Sequence, residues 1–466
     1  MKRIYMNLIF FMGMSISMMA NETLKIRNQE LSFEYYKNTN VIIEGDALLK
    51  LRSNKLSEVL SNSTVDIKSE YAWICFENIS AESLRGSNLI DKIYVNGEKA
   101  LDGINVEIKS YYSGSYIRLV VSKDYSPVIL NHNSKRKQTA KINEVYINDN
   151  IPVGDNNITE FYLKRGNMIV LADNPDGTGN SQVFMAIDHD CDIKLEDYLA
   201  NKVSFMRVTP WNYVSKRGLG GLSKNEADID KLLGAEWYYN WGTHAPNSPT
   251  LDFAPMFWGR WGMEKNIDYV TTKQYTNHIL SFNEPDNKGE SNIDPVDAAK
   301  LYIPLLKSGL RMGSPACCEG VWKTWLSTFM DECRKNGARV DFICIHWYDW
   351  GNWCSSENLN PDIDKQLARF KADIDACYEK YKLPIWITEF NANKNRPHNI
   401  HTEFLNKAII MLEEHPAVER YAYFQPFGGN GNFFENRRLT EVGKAYGKVK
   451  SNPSVKEINA RPLHKK

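Results

Sequence analysis

Hydrophobic and polar residues follow two different rhythms in the two halves of this chain. From Asn21 to about Leu199 the apolar positions come in short runs: Val41-Ile42-Ile43, residues 71–76, Ile93-Tyr94-Val95, residues 116–121 and residues 168–171, separated by Asn, Gly, Asp and Ser. Short runs rich in β-branched and aromatic residues and bounded by turn formers predict strands. Asn96-Gly97 directly follows one of them and predicts a hairpin, because both residues tolerate the left-handed backbone of a two-residue turn. A β-sandwich is the expected fold of this half. Its simplest role is to pack against or position its neighbour, with carbohydrate binding as the other.

From about Val203 onward, strands alternate with amphipathic segments. Strands are predicted at 236–239, 253–257, 278–282, 342–346, 385–388 and 421–424. Asp294-Pro295 opens a helix carrying Val296, Ala299, Leu301 and Tyr302, and Asn360-Pro361 opens one with Ile363, Leu367, Phe370, Ile374 and Tyr381 on one face. Repeated strand-then-helix over about 250 residues is what a (β/α)8 barrel requires. Residues 241–253 and 258–278 leave little room for full crossover helices, so a doubly wound open sheet stays open as the alternative. The first strand is either 203–208 or the Lys216-Arg217-Gly218 region.

The expected fold class is therefore multidomain: an N-terminal all-β sandwich at 21–200, then an α/β (β/α)8 TIM-type barrel at 201–455, with a tail at 456–466. Residues 1–20 read Met-Lys-Arg and then a mostly apolar run ending in small residues. That is the pattern of a secretory signal, and it implies a secreted or periplasmic protein.

Composition narrows the partner. Lys plus Arg equals Asp plus Glu at 57 each, so the net field gives no reason to expect nucleic acid, and no other stretch could insert into a membrane. A neutral substrate and a monomeric protein are expected. Eight cysteines without a C-x-x-C pair make neither a disulfide framework nor a zinc site. Burial as small apolar residues is expected, with a Cys354 pairing to Cys317 or Cys318 left open. Residues 173–180 crowd acidic and amide oxygens without the spacing of a calcium loop, and read as a glycine-rich turn.

Two glutamates stand out in this setting. Glu284 follows the apolar run at 278–282 and precedes Pro285, and Glu389 closes Ile385-Trp386-Ile387-Thr388. Ends of parallel strands in a barrel share one rim, so the two carboxylates can face each other across a cleft. Breaking a glycosidic bond needs such a pair, one group to protonate the leaving oxygen and one to attack the anomeric carbon or activate water. Asn283 adds an amide able to hydrogen-bond a sugar 2-hydroxyl. His346, Trp347 and Tyr348 end the preceding strand, where imidazole and phenol can steady a carboxylate or touch substrate. Trp237, Tyr239, Trp241, Trp258, Trp261, Trp347, Trp350 and Trp353 gather at strand ends and loops. Indole faces stack on the C–H faces of sugars, so these aromatics suit a groove for a neutral glycan. No second histidine lies at metal-ligand spacing, and the chemistry calls for no metal or cofactor.

Phe282-Asn283-Glu284-Pro285, Trp386-Ile387-Thr388-Glu389-Phe390, Trp237 to Trp241 and the strand ending in His346-Trp347-Tyr348 together resemble glycoside hydrolase family 128, in a clan of retaining (β/α)8 glycosidases. The resemblance spans about residues 216–450. It implies that Glu284 is the acid/base, Glu389 the nucleophile, and the activity endo-hydrolysis of β-1,3-glucan. One departure is Tyr421 to Phe427 in the last strand, where many relatives carry a tryptophan. A non-catalytic glucan-binding protein on the same scaffold is the alternative, and its mark would be loss of a carboxylate. Transglycosylation would use the same residues.

Overall fold

The computed structural model describes residues 22–33, 36–52, 56–111, 114–120, 126–221, 233–245, 251–272, 276–350, 359–426, 429–436, 438–455 and 463–464. The signal expected at 1–20, Trp353 and Cys354 lie outside these residues.

Residues 22–119 differ from the expected sandwich. Glu22–Arg27, Thr39–Glu44, Thr64–Ile67 and Ile93–Val95 stack side by side in parallel, and Glu30–Phe33, Leu48–Arg52 and Trp73–Glu77 do the same in a second sheet. The chain passes from the first sheet to the second, then through a short third parallel pair, Tyr36–Lys37 with Leu60–Ser61, before returning to the first, winding as a coil whose inward residues, among them Val41, Ile43, Leu49, Leu51, Val65 and Ile74, share one core. The corners explain the winding: Asn28, Asn38 and Asn62 sit in left-handed backbone at φ 52°, 54° and 51°, a conformation asparagine tolerates better than most residues. Val95 and Glu98 pair across Asn96-Gly97, forming the expected hairpin.

Residues 128–210 form two antiparallel sheets around a separate core. Phe205–Pro210 pairs with Asn167–Ala172 in one of them, so this strand belongs with the all-β half and not with the part expected to start at 201. From the tail, Leu463–His464 pairs with Ser181 and Gln182 at the edge of the same sheet.

The α/β part begins at β1 (Arg217–Gly220) and continues through β2 (Trp237–Tyr239), β3 (Asp252–Phe253), α1 (Met263–Thr272), β4 (His278–Ile279), α2 (Pro295–Tyr302), β5 (Arg311–Met312), α3 (Trp325–Lys335), β6 (Ile343–Trp347), α4 (Ile363–Tyr381), β7 (Ile385–Phe390), α5 (His398–Glu414), β8 (Val418–Tyr423) and α6 (Glu441–Tyr446). Parallel ladders join β3, β2, β1, β8, β7 and β6 in that order, and β4 pairs with β5. Isolated parallel bridges continue the pairing, from Met256 to Leu280 beyond β3 and β4, and from Gly313 to Phe342 and Cys317 to Ile345 between β5 and β6. Every strand thus has the next in sequence as a neighbour, and β8 has β1.

The helices pack outside around a core that includes Phe329, Trp347, Phe370, Phe390 and Phe404. Asp294 caps α2 as expected, accepting from the Val296 N–H, whereas α4 is capped by Asp362 and not by Asn360. Inside the strands, at the end remote from Glu284, Arg311 makes a bidentate pair with Glu419 at 2.6 and 3.0 Å, and Trp386 Nε1 donates to the same carboxylate at 2.9 Å. The two halves are joined by Arg207, whose guanidinium donates to the carbonyl of Thr271 at 2.6 Å, and by Asn212, which donates to Asp252 at 2.8 Å.

Candidate active site

Glu284 lies just beyond β4, held from both sides. Its N–H donates to Ala316 O at 2.8 Å, while the Asn283 N–H donates to Trp258 O at 3.0 Å. The residue itself has φ 37°, a left-handed conformation that costs a side-chain-bearing residue roughly 1–2 kcal/mol. Glu389 is the penultimate residue of β7 and only 6% exposed. Between these two strands, β6 carries an irregularity at Ile345/His346, after which His346 pairs with Glu389. Local breaks of register of this kind re-aim side chains. Here the break aims the imidazole between the carboxylates.

The geometry is tight. His346 Nδ1 lies 2.9 Å from Glu284 Oε1 and 3.6 Å from Glu389 Oε2. A carboxylate oxygen of each glutamate and this nitrogen all lie within 4.8 Å of one another. Glu389 Oε1 accepts from the Tyr239 hydroxyl at 3.1 Å and from Trp241 Nε1 at 3.0 Å, and its Oε2 accepts from the Tyr348 hydroxyl. Glu284 Oε2 accepts from Asn287 Nδ2 at 3.1 Å. Burial pushes the Glu284 carboxyl up, but the hydrogen bond and charge of His346, with donation from Asn287 and the Cys318 thiol, outweigh it and hold the group at about 2. Burial lowers His346, yet the charges of Glu389 and Glu284 win and its pKa is raised. The same three ligand atoms are close enough to share a metal ion. A cation would have to displace the proton between imidazole and carboxylate.

A cavity of about 510 Å³ opens over the pair, lined in part by Trp241, Trp258, Asn283, Tyr348, Trp350 and Phe424. Trp261 is 65% exposed and stacks on Trp258 with ring centroids 5.8 Å apart, extending that wall outward. In the Tyr421 to Phe427 stretch, Phe424 meets Trp241 and Tyr348 edge-on, with centroids 5.9 and 6.1 Å away.

Three expected substrate contacts lie elsewhere. Trp347 points outward into the core, stacked on Phe370 at 4.3 Å and near Phe404. Tyr239 is fully buried and His346 nearly so, and they hold the carboxylates without facing the cavity. Asn287, Glu290, Cys318, Glu319, Asn391 and Lys394 also line the cavity and were not anticipated. Cys318 and Glu319 follow β5, a two-residue strand too short to register as an apolar run; recognising it would have pointed to them. The described cysteines are unbridged, and all but Cys318 are buried.

Two glutamates thus meet across a cavity, Glu284 beyond β4 and Glu389 near the end of β7. Residues 219–446 match the family model described as glycosyl hydrolase catalytic core. The resemblance of this half to glycoside hydrolase family 128 stands with it. Among solved structures, an endo-β-1,3-glucanase of that family from Amycolatopsis mediterranei, in complex with laminarihexaose, is 26% identical, covering 50% of this chain and 99% of its own, with a TM-score of 0.44. A curdlan-specific exo-β-1,3-glucanase from Blastomyces gilchristii is also 26% identical, covering 50% and 98%, with a TM-score of 0.39. Alkali-sensitive linkage protein 1 of Schizosaccharomyces pombe is 30% identical over 267 residues, 50% of this chain. The match spans less than half of that relative, 44% of its length.

Proposed function

We propose that the chain is a secreted, retaining glycoside hydrolase that cleaves internal β-1,3-glucosidic bonds of a neutral β-glucan of laminarin or curdlan type, on a (β/α)8 barrel. The observation that carries this reading is the approach of the Glu284 and Glu389 carboxylate oxygens to within 4.8 Å. Retaining glycosidases hold their carboxyl groups about 5–5.5 Å apart, whereas inverting ones need roughly 6.5–9.5 Å to admit a water. The parallel pairing that runs from each strand to the next and from β8 to β1 supports the barrel. Kinship to enzymes named for β-1,3-glucan supports the substrate, and the aromatic walls suit an uncharged sugar chain.

In the first step a Glu389 oxygen attacks the anomeric carbon, and the bond to the leaving oxygen breaks as that oxygen takes a proton from Glu284. Glu284, now ionised, then draws a proton from water, which attacks the same carbon and frees Glu389. The low pKa of Glu284 looks contrary to an acid's role until protons are counted. Ionised Glu284 beside charged His346 holds as many protons as neutral Glu284 beside neutral His346. Sugar binding expels water and penalises the ion pair, so the proton moves from Nδ1 to Oε1 across 2.9 Å.

Product analysis on laminarin, with a β-1,4-glucan as control, tests the reading. Laminarin should yield oligosaccharides of several lengths, and glucose alone would mean action from the chain end. Cleavage of neither would favour the non-catalytic glucan-binding alternative.

A further inference from the structure

We propose that Glu319 is a positioning residue that ties the sugar-binding wall to the nucleophile. The inference rests on the glucanase reading above. Glu319 lies beyond β5 and lines the cavity. A single oxygen, Oε2, accepts the backbone N–H of Tyr348 at 2.8 Å and that of Trp350 at 2.9 Å. Those two residues act on different parts of the site: the Tyr348 hydroxyl donates to Glu389, and Trp350 forms cavity wall.

The segment is fixed from its other side as well. Asp349, between them, takes a left-handed φ of 59°. Its buried carboxylate pairs with Arg396 at 2.7 Å and Arg369 at 2.8 Å. The Tyr348 carbonyl accepts from Asn393 Nδ2 at 3.0 Å. The N–H groups of Tyr348 and Trp350 both rest on one atom of Glu319. Removing it frees the backbone that aims the phenol at Glu389, and the same change loosens Trp350.

The consequence is specific. Loss of a well-aimed Tyr348 takes a hydrogen bond from the Glu389 carboxylate, so kcat falls, while a loosened Trp350 raises KM. Glu319→Ala should lower kcat/KM roughly tenfold to a hundredfold. Tyr348→Phe should lower kcat similarly, and the double variant no further. Glu319→Gln, whose amide oxygen still accepts both N–H groups, should recover most of the activity. Should Glu319→Ala not fold, Glu319→Asp, which keeps the charge but shortens the reach, carries the same expectation.

Amide hydrogen exchange of the Tyr348 to Trp350 segment gives a readout independent of turnover, and it should quicken in Glu319→Ala while β7 stays protected. An unchanged kcat in a folded Glu319→Ala variant, or unchanged exchange in that segment, overturns the proposal. If the wild-type chain cleaves no β-1,3-glucan, the functional reading fails instead, and exchange alone decides whether Glu319 anchors the segment.

Discussion

His346 Nδ1 stands 2.9 Å from Glu284 Oε1, so one proton is shared by an imidazole and a carboxylate. The sharing fixes a pH window of stability. Glu284 is depressed from 4.5 to about 2 in the folded chain, so its contribution is full above 4.5 and is lost as pH falls toward 2. His346 is raised from 6.5, so its contribution is full below 6.5 and is lost as pH rises through the folded value. Together they stabilise most between these limits. Urea midpoints of His346→Gln should be flatter across both edges than those of wild type, with kcat lowered about a hundredfold. An unchanged pH profile of stability would detach His346 from Glu284.

Backbone strain at Glu284 can be separated from its chemistry. Glu284→Ala and Glu284→Gly both remove the carboxylate, but only glycine is at ease at φ 37°. The glycine variant should be more stable than the alanine variant by about 1 kcal/mol, reversing the order found in ordinary strands. Thermal denaturation of the pair checks this. Equal melting points would mean the backbone relaxes once the side chain is gone.

The tryptophans on either side of Tyr348 should behave oppositely. Trp347→Ala empties a site packed between Phe370 and Phe404 and should cost about 3–5 kcal/mol of stability. Trp350 is 44% exposed at the cavity, so Trp350→Ala should leave stability within about 0.5 kcal/mol while raising KM for laminarioligosaccharides. The reverse pattern would mean their directions are exchanged.

Arg311 and Glu419 are both nearly fully buried and paired at 2.6 Å. Glu419→Leu alone strands a guanidinium and should cost about 3–5 kcal/mol, whereas the double change Arg311→Met, Glu419→Leu should recover much of that loss. Additive losses in denaturant titrations would show the pair to be uncoupled.

Much of the α/β half could be read from the chain, because its strands end on residues that do not belong in a core. Glu284, Glu389 and the six apolar runs were legible for that reason. Strand alternation also held the answer for Trp347: His346 and Tyr348 share one face, so the residue between them must point to the helices. Loop residues such as Asn287, Glu290, Asn391 and Lys394 carry no periodicity, and only the fold brings them to the cavity. In the first 119 residues the strands were visible but their direction was not, since a period of two is the same in parallel and antiparallel sheets. The asparagines at positive φ at the corners were the one signal of the coil.

The configuration of the first sugar released tests the pairing of Glu284 with Glu389 most directly. Proton NMR on laminarihexaose in the first minutes of reaction should show the β-anomer of the new reducing end appearing first, with the α-anomer growing only by mutarotation. Initial appearance of the α-anomer would mean a single displacement by water, and would contradict a covalent intermediate on Glu389.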